Sequence, residues 1–298
     1  MKKVLVTGSS GLLGGKLVKV LHDEYEVVPT HNTESLFHGS IRMDIVDGDE
    51  VSRVIEESSP DIVVHAAAET NVDKCETNKD WAWSVNVLGT KNVAEACVKF
   101  GAKLIFISTD YVFDGSKGLY REDDEANPIN HYGLTKLKGE ELVRGYCQDS
   151  TIVRPSVVYG WHTRKLNFAT WVIDSLRNRK RIPVAEDHYN SPTLADDLSE
   201  IISLMIKRKL CGVYHTAGAE RASRYEFALK IAETFGLDRS LISPVRMVDV
   251  GAWIALRPRD SSLCVDKIKR IGIGPSDLSA ALKRMKEQIG CSTNPSFI

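Results

Sequence analysis

Apolar positions recur along this chain with two alternating periods. Residues 3–7 form a short β-branched run, and Leu13, Leu17, Val20 and Leu21 then fall on one side of a helical pattern. Residues 26–30 read as a second strand and 41–45 as a third, after which 51–55 return to helical spacing. Residues 61–65 and 104–107 are apolar almost throughout, the pattern of parallel strands buried on both faces. Between them, 80–100 predicts a helix with Trp83, Val87, Val93 and Ala94 on its buried side, and a further helix starts after Pro128. Later segments predict helices over 166–176, 193–204, 225–235 and 278–289, a strand at Pro183, and a strand over 212–217 that returns to the main sheet. Strand–helix alternation of this kind predicts an α/β fold: a Rossmann-type doubly wound parallel sheet with a smaller mixed C-terminal substrate domain. The expected division is a dinucleotide-binding domain over 1–153 plus about 187–219, and a substrate domain over about 154–186 and 220–298. Residues from 291 onward read as a loose tail.

Composition narrows the function classes without choosing one. With 298 residues and a net charge of −1, the chain can bury a large core and has no electrostatic reason to bind nucleic acid or a membrane surface. No stretch approaches the roughly 20 apolar residues of a membrane span. The charged start runs into a three-residue apolar stretch and then Thr7-Gly8, which predicts a first strand rather than a signal peptide. Six scattered cysteines, with no CxxC spacing, read as reduced cytoplasmic thiols and not as metal ligands. A cytoplasmic location is expected, and a homodimer is allowed.

The first turn carries the clearest chemistry. Gly8-Ser9-Ser10-Gly11-Leu12-Leu13-Gly14 lies between a strand and a helix, where backbone N–H groups at a helix start can receive a pyrophosphate. Gly8 and Gly11 let the backbone turn and approach a ligand; Gly14 lets the helix pack on the strand. Cofactor contacts are therefore expected from Gly8, Ser10, Gly11, Leu12, Leu13 and Gly14. The end of the second strand, Thr30-His31-Asn32-Thr33, lacks the acid that binds the ribose of NAD, which slightly favours NADP (NADPH) over NAD (NADH), with His31 the candidate contact. Asp44, with Ile45 beside it, either meets the adenine amino group or caps the next helix. Ala66, Ala67 and Ala68 leave room for a cofactor against the backbone, though tight packing explains them equally well. Asn86 sits in an apolar helix surface and needs hydrogen-bond partners, either near the active site or in a loop. Ile107 leads into Ser108-Thr109-Asp110 at a strand's carboxyl end, where ligands bind in such sheets, or where a Ser/Thr turn sits.

Tyr132 and Lys136 are four residues apart at the start of the helix after Pro128, so phenol and ammonium share one face. A fixed positive charge beside a tyrosine is expected to lower its pKa from about 10 toward working pH. That makes a proton donor and acceptor, a role typically contributing roughly 100- to 10,000-fold in rate. The basic run at 177–181 reads as a solvated helix end, with a diphosphate contact as the alternative.

Together the TGxxGxxG turn, Ala66-Ala67-Ala68, Asn86, Ser108-Thr109-Asp110 and the Tyr132/Lys136 pair resemble the extended short-chain dehydrogenase/reductase superfamily. The stretch from Ser108 to Gly115, Asn127-Pro128 leading to Tyr132-Gly133, and Arg257-Pro258-Arg259-Asp260-Ser261-Ser262-Leu263 are similar to its dTDP-4-dehydrorhamnose reductase branch. The resemblance covers about residues 3–285. It implies that Tyr132 donates a proton, that Lys136 lowers its pKa and holds the nicotinamide ribose, and that Thr109, with Ser108 as the alternative, positions a carbonyl. It also implies substrate contacts from Thr109, Asp110, Val157, Asn167 and Arg257, and a substrate that is a nucleotide-linked 4-keto-6-deoxy sugar. Ser156-Val157-Val158 stands where rhamnose-type members usually carry an aromatic residue, and the stretches at 164–168 and 189–193 also depart from the family pattern. Two other roles within the superfamily are a non-catalytic NADP-binding regulatory subunit, like that of methionine adenosyltransferase, and a nucleotide-sugar epimerase.

Overall fold

In the computed structural model, which describes residues 1–163, 165–251 and 253–291, the glycine turn links β1 (Lys3–Thr7), an interior strand of a seven-stranded parallel sheet, to α1 (Leu12–Leu21). The chain continues through β2 (Glu26–His31), β3 (Ile41–Arg42), α2 (Gly48–Ser58) and β4 (Ile62–His65). Helices α3 (Val72–Thr77), α4 (Lys79–Trp83) and α5 (Gly89–Phe100) precede β5 (Lys103–Ile107), and α6 (His131–Tyr146) precedes β6 (Thr151–Arg154). The second half supplies β7 (Val158–Tyr159), α7 (Phe168–Arg177), β8 (Ile182–Ala185), β9 (Tyr189–Asn190), β10 (Thr193–Leu194), α8 (Ala195–Lys207), β11 (Gly212–His215), β12 (Ala222–Ser223), α9 (Arg224–Phe235) and β13 (Ile242–Val245). It ends with α10 (Asp266–Arg270) and α11 (Leu278–Cys291). The expected tail lies, from residue 292, outside the described residues.

The sheet order is β11-β6-β5-β4-β1-β2-β3, so the winding direction reverses between β1 and β4. Crevices at such a reversal, beyond the carboxyl ends of the strands, are where α/β sheets bind ligands. The all-apolar strands follow from burial on both faces. Val4 and Val6 join Leu17 and Leu21 of α1 and Leu198 and Ile202 of α8 in one core. Leu5, between them, points the other way to Val51 and Ile55 of α2 and Val93 and Cys97 of α5. A fully buried leucine or valine of this kind contributes about 1.5–3 kcal/mol. A third cluster, around Tyr159, Val172, Phe227, Ile231, Leu282 and Met285, holds α7, α9 and α11 together. Leu263, Val265, Ile268 and Ile273 belong to the first core and not to this one, so a stretch expected in the substrate domain packs on the nucleotide-binding sheet.

Three local expectations are corrected. The third strand is only two residues long and sits at the sheet edge. Asp47, not Asp44, caps α2, accepting from the Asp49 and Glu50 amides. The helix expected over 80–100 is interrupted by a π-helical turn, Ser84–Leu88, which carries Asn86. Single π turns of this sort occur frequently at functional sites.

Candidate active site

A cleft of about 830 Å³ opens at the β1/β4 reversal and runs from the glycine turn to the start of α9. That is toward the upper end of the roughly 300–1,000 Å³ of small-molecule sites. Gly8, Ser10, Gly11, Leu12, Leu13 and Gly14 all line it. Gly8 has φ of +67°, and a Cβ there would lie 2.8 Å from the Ala67 Cα. At Gly14 a Cβ would lie 2.2 Å from the Gly8 carbonyl oxygen. The Thr7 hydroxyl accepts from the amides of Ala66 (3.1 Å) and Ala67 (3.0 Å) and meets the buried His65 ring at 2.8 Å, which fixes β4's end against the turn. Gly11, at the N-cap of α1, offers no side chain, and no acid occupies the first turn. The first N–H groups of α1 are thus left for an anion in a glycine-lined cradle, and these residues fit a dinucleotide's pyrophosphate.

Farther along, Thr30, Asn32, Thr33, Asp44 and Ile45 line the adenosine end, and Ala66, Ala67 and Ala68 the floor. The His31 ring turns instead onto the Ser40 hydroxyl at 2.8 Å and is not among the lining residues, whereas Asn32 and Thr33 are. Asp44 is engaged locally, accepting from the Val46 amide at 3.0 Å. Asn86 is buried behind the cleft. Its Oδ1 accepts from the Glu69 amide (2.9 Å), and its Nδ2 donates to the Glu69 carbonyl (3.0 Å) and to Thr135 Oγ1 (3.0 Å). It therefore staples the loop after the alanines to α6, and does not line the cleft.

The reacting end is built on β5 and α6. Ile107, Ser108, Thr109, Asp110 and Tyr132 line it. Ser108 is spoken for: its hydroxyl donates at 2.6 Å to Glu140, a fully buried carboxylate paired with Arg154 at 2.8 and 2.7 Å. This removes it as the alternative to Thr109. The Thr109 hydroxyl donates to Asp110 Oδ1 at 3.1 Å, accepts from the Tyr111 amide at 3.2 Å, and lies against the Tyr132 phenol. Asp110 was expected to face the sugar, but Ser156 (2.7 Å) and Ser261 (2.6 Å) donate to its other oxygen. Both oxygens are engaged with the protein, and burial raises its pKa. Asp110 positions Thr109.

Asn130 caps α6, accepting from the Gly133 amide at 2.8 Å, and so fixes Tyr132 in the first turn. Tyr132 is 9 % exposed and Lys136 2 %. The Lys136 ammonium sits 4.1 Å from the Phe106 ring centroid. Burial lowers its pKa to about 7, with the Glu140 charge pulling the other way. Burial also raises the Tyr132 phenol well above its ordinary value, with the Thr109 hydroxyl opposing. The expected lowering of the tyrosine pKa is therefore not what this site shows: desolvation raises it, and the same burial pushes Lys136 toward its neutral form. Lys136 stands behind Tyr132 and is not among the lining residues.

Val157, Asn167, Phe168 and Arg224 line the far end. Val157 holds φ of +44°, unusual for a β-branched residue and worth about 1–3 kcal/mol of strain. Asn167 caps α7 and donates to the Gly160 carbonyl at 2.6 Å. Arg257 is drawn away, onto Asp73 at 2.9 Å and the Ala255 carbonyl at 3.0 Å, and is not among the lining residues. Two other cations, Lys165 and Arg224, do line the cleft, and sequence reasoning missed Arg224. Its only signal was position: it follows Ser223, which forms a capping box with Glu226. Among the described residues no helix is long and apolar enough to cross a membrane, and no three acids, histidines or cysteines cluster as metal ligands.

The chain matches the family described as "RmlD substrate binding domain" over residues 1–291. It is 33 % identical to dTDP-4-dehydrorhamnose reductase of Aggregatibacter actinomycetemcomitans, over 96 % of this chain and 99 % of that one. Among solved structures, a dTDP-4-dehydrorhamnose reductase from Bacillus anthracis in complex with NADP superposes with a TM-score of 0.89 at 34 % identity, covering 97 % of this chain and 100 % of that one. Methionine adenosyltransferase 2 subunit beta of Bos taurus is 31 % identical over 92 % of this chain and 83 % of that one. The sheet, the glycine cradle and the Thr109–Tyr132–Lys136 constellation are those of an NAD(P)-dependent oxidoreductase of the short-chain dehydrogenase/reductase type. Within that class, the chain belongs to the dTDP-4-dehydrorhamnose reductase family.

Proposed function

We propose that this protein reduces the keto group of a nucleotide-linked 4-keto-6-deoxy sugar, dTDP-4-dehydrorhamnose in the first instance, and that it uses NADPH in preference to NADH. When bound, the cofactor supplies a hydride to the keto carbon. The chain supplies the rest. The glycine cradle and Ala66–Ala68 hold the dinucleotide. Thr109, anchored by Asp110, places a hydroxyl beside the Tyr132 phenol. Tyr132 gives the carbonyl oxygen its proton as the alcohol forms. The observation that carries this reading is the Tyr132 phenol, held protonated in the cleft by burial and set beside the Thr109 hydroxyl. The preference for NADPH rests on the cleft's adenosine end, where Thr30, Asn32 and Thr33 stand without an acid from β2.

The test is oxidation of NADPH and NADH, followed by absorbance, with the keto sugar generated in the same vessel. Tyr132→Phe is expected to lose roughly 100- to 10,000-fold in turnover while NADPH affinity holds. Undiminished turnover in that variant overturns the assignment of the proton donor. The 31 % identity to a methionine adenosyltransferase subunit supports a second reading, a cofactor-binding regulatory subunit. That reading predicts NADPH binding without sugar reduction, and a stoichiometric partner enzyme on purification.

A further inference from the structure

The substrate end of the cleft carries a cation that no carboxylate of the described fold neutralises. Arg224 opens α9, its amide held by the His188 carbonyl at 2.9 Å, and its guanidinium lies 4.8 Å from the Phe168 ring centroid. The Tyr111 phenol lies within reach of it. Among the described residues it makes no ion pair. Asp110, whose charge it feels, already has its oxygens taken by Thr109, Ser156 and Ser261. The neighbouring Arg257 adds a like charge, its own partner being Asp73. Beside them His188 is buried, with both ring nitrogens lacking a hydrogen-bond partner. Uncompensated guanidinium charge away from bulk water is costly, and the cost is recovered when an anion arrives. A guanidinium's planar fork suits the paired oxygens of a phosphate.

Position selects which anion. The Tyr111 and Tyr132 rings meet edge-on with centroids 6.0 Å apart, so Arg224 stands one aromatic ring beyond the proton donor. In a 4-keto hexose, the carbon bearing the nucleotide lies across the sugar ring from the keto carbon. With the keto oxygen at Tyr132, the glycosidic diphosphate falls on the Arg224 side. Resting on the reading of the substrate as an activated keto sugar, we propose that Arg224 recognises the sugar-linked diphosphate and so admits nucleoside-diphosphate sugars in preference to free or monophosphorylated ones.

The experiment measures inhibition or displacement by dTDP, dTMP and thymidine in the wild type, Arg224→Gln and Arg224→Lys, with NADPH affinity followed in parallel. Hydrogen bonds to a charged partner of this sort correspond to about 10- to 100-fold in affinity. Arg224→Gln is therefore expected to weaken dTDP by that factor, leaving thymidine and NADPH within about twofold, and Arg224→Lys to restore part of the loss. A role confined to holding Tyr111 and Phe168 would lower turnover and stability without changing the dTDP-to-thymidine ratio, and that result overturns the proposal. So does a wild type that binds no nucleoside diphosphate. If the wild type binds dTDP or UDP through Arg224 but does not reduce the dTDP sugar, the proposed substrate fails and the role of Arg224 stands.

Discussion

Lys136 yields a stability prediction whose sign is opposite to that usually expected of removing a catalytic residue. Its folded-state pKa is lowered from the ordinary 10.5 to about 7 because the ammonium is buried. Between those two values the unfolded chain holds a proton that the folded chain does not. Stability therefore rises with pH across this window, and the full penalty is present below it. The gap corresponds to roughly 5 kcal/mol withheld from the folded state at pH 6, shrinking to about 1 kcal/mol near pH 10. Lys136→Met keeps a flexible side chain of similar length over the Phe106 ring and removes the ionisation. The cofactor-free variant is expected to be more stable than the wild type by up to about 5 kcal/mol at pH 6, converging with it toward pH 10. Urea unfolding of both proteins at pH 6, 8 and 10 measures this directly, since every other titrating group cancels in the difference unless it touches Lys136. A wild-type-minus-variant difference that stays constant over this range refutes the assignment of a depressed lysine. Activity should be lost in the same variant, so stability and function separate at one residue.

Other substitutions test the frame around the site. Gly14→Ala places a methyl 2.2 Å from the Gly8 carbonyl oxygen, so the turn must open, and NADPH affinity by fluorescence titration should fall at least about tenfold; unchanged affinity would contradict the cradle. Glu140→Gln leaves Arg154 buried without its charge partner and Ser108 with an altered one, and should cost about 3–5 kcal/mol in chemical denaturation; a loss below about 1 kcal/mol would mean the pair is not carrying the packing of α6 on β6.

The parts of this molecule legible in its sequence are those set by local pattern. β1 alternates Val4 and Val6 against Leu5 because each face of the sheet has its own core, and the resulting apolar run is readable without knowing either. The glycine turn is readable because Gly8 takes a positive φ and Gly14 packs on the Gly8 carbonyl, both within the turn itself. What was hidden depends on partners distant in the chain. Arg257 reads as the candidate cation and Arg224 is passed over, because nothing nearby in sequence marks Arg257 as the partner of Asp73, which is 184 residues away in number but 2.9 Å away in space. Ser108 and Thr109 are adjacent hydroxyls; only Glu140 on α6 and the Asp110–Ser156–Ser261 group decide that the first is engaged by a buried carboxylate and the second is held beside Tyr132. His31 could not be placed from sequence because its ring is directed by Ser40, on a loop with no periodic pattern.

The Tyr132/Lys136 pair marks the limit of reading chemistry from spacing. Four residues apart on α6 does put both side chains on one side of the helix, and the structure has them there. Spacing says nothing about water, and it is the absence of water that sets both protonation states. Burial drives the phenol up and the ammonium down, so each residue is held toward its neutral form in the cofactor-free protein. For a reductase this is a workable resting state, because the phenol must carry a proton when the keto sugar arrives. The cost is that a phenol with a raised pKa is a poor acid. Any bound group that accepts a hydrogen bond from Lys136 favours its charged form, and a charged Lys136 in turn makes the Tyr132 proton easier to release. Cofactor binding should then draw a proton onto the site between pH 7 and pH 10.5, the window in which Lys136 is neutral in the folded protein and charged in water. On this argument the lysine does not pre-activate the tyrosine. It is switched on by the same event that brings in the hydride, which keeps the proton donor quiet until there is something to reduce.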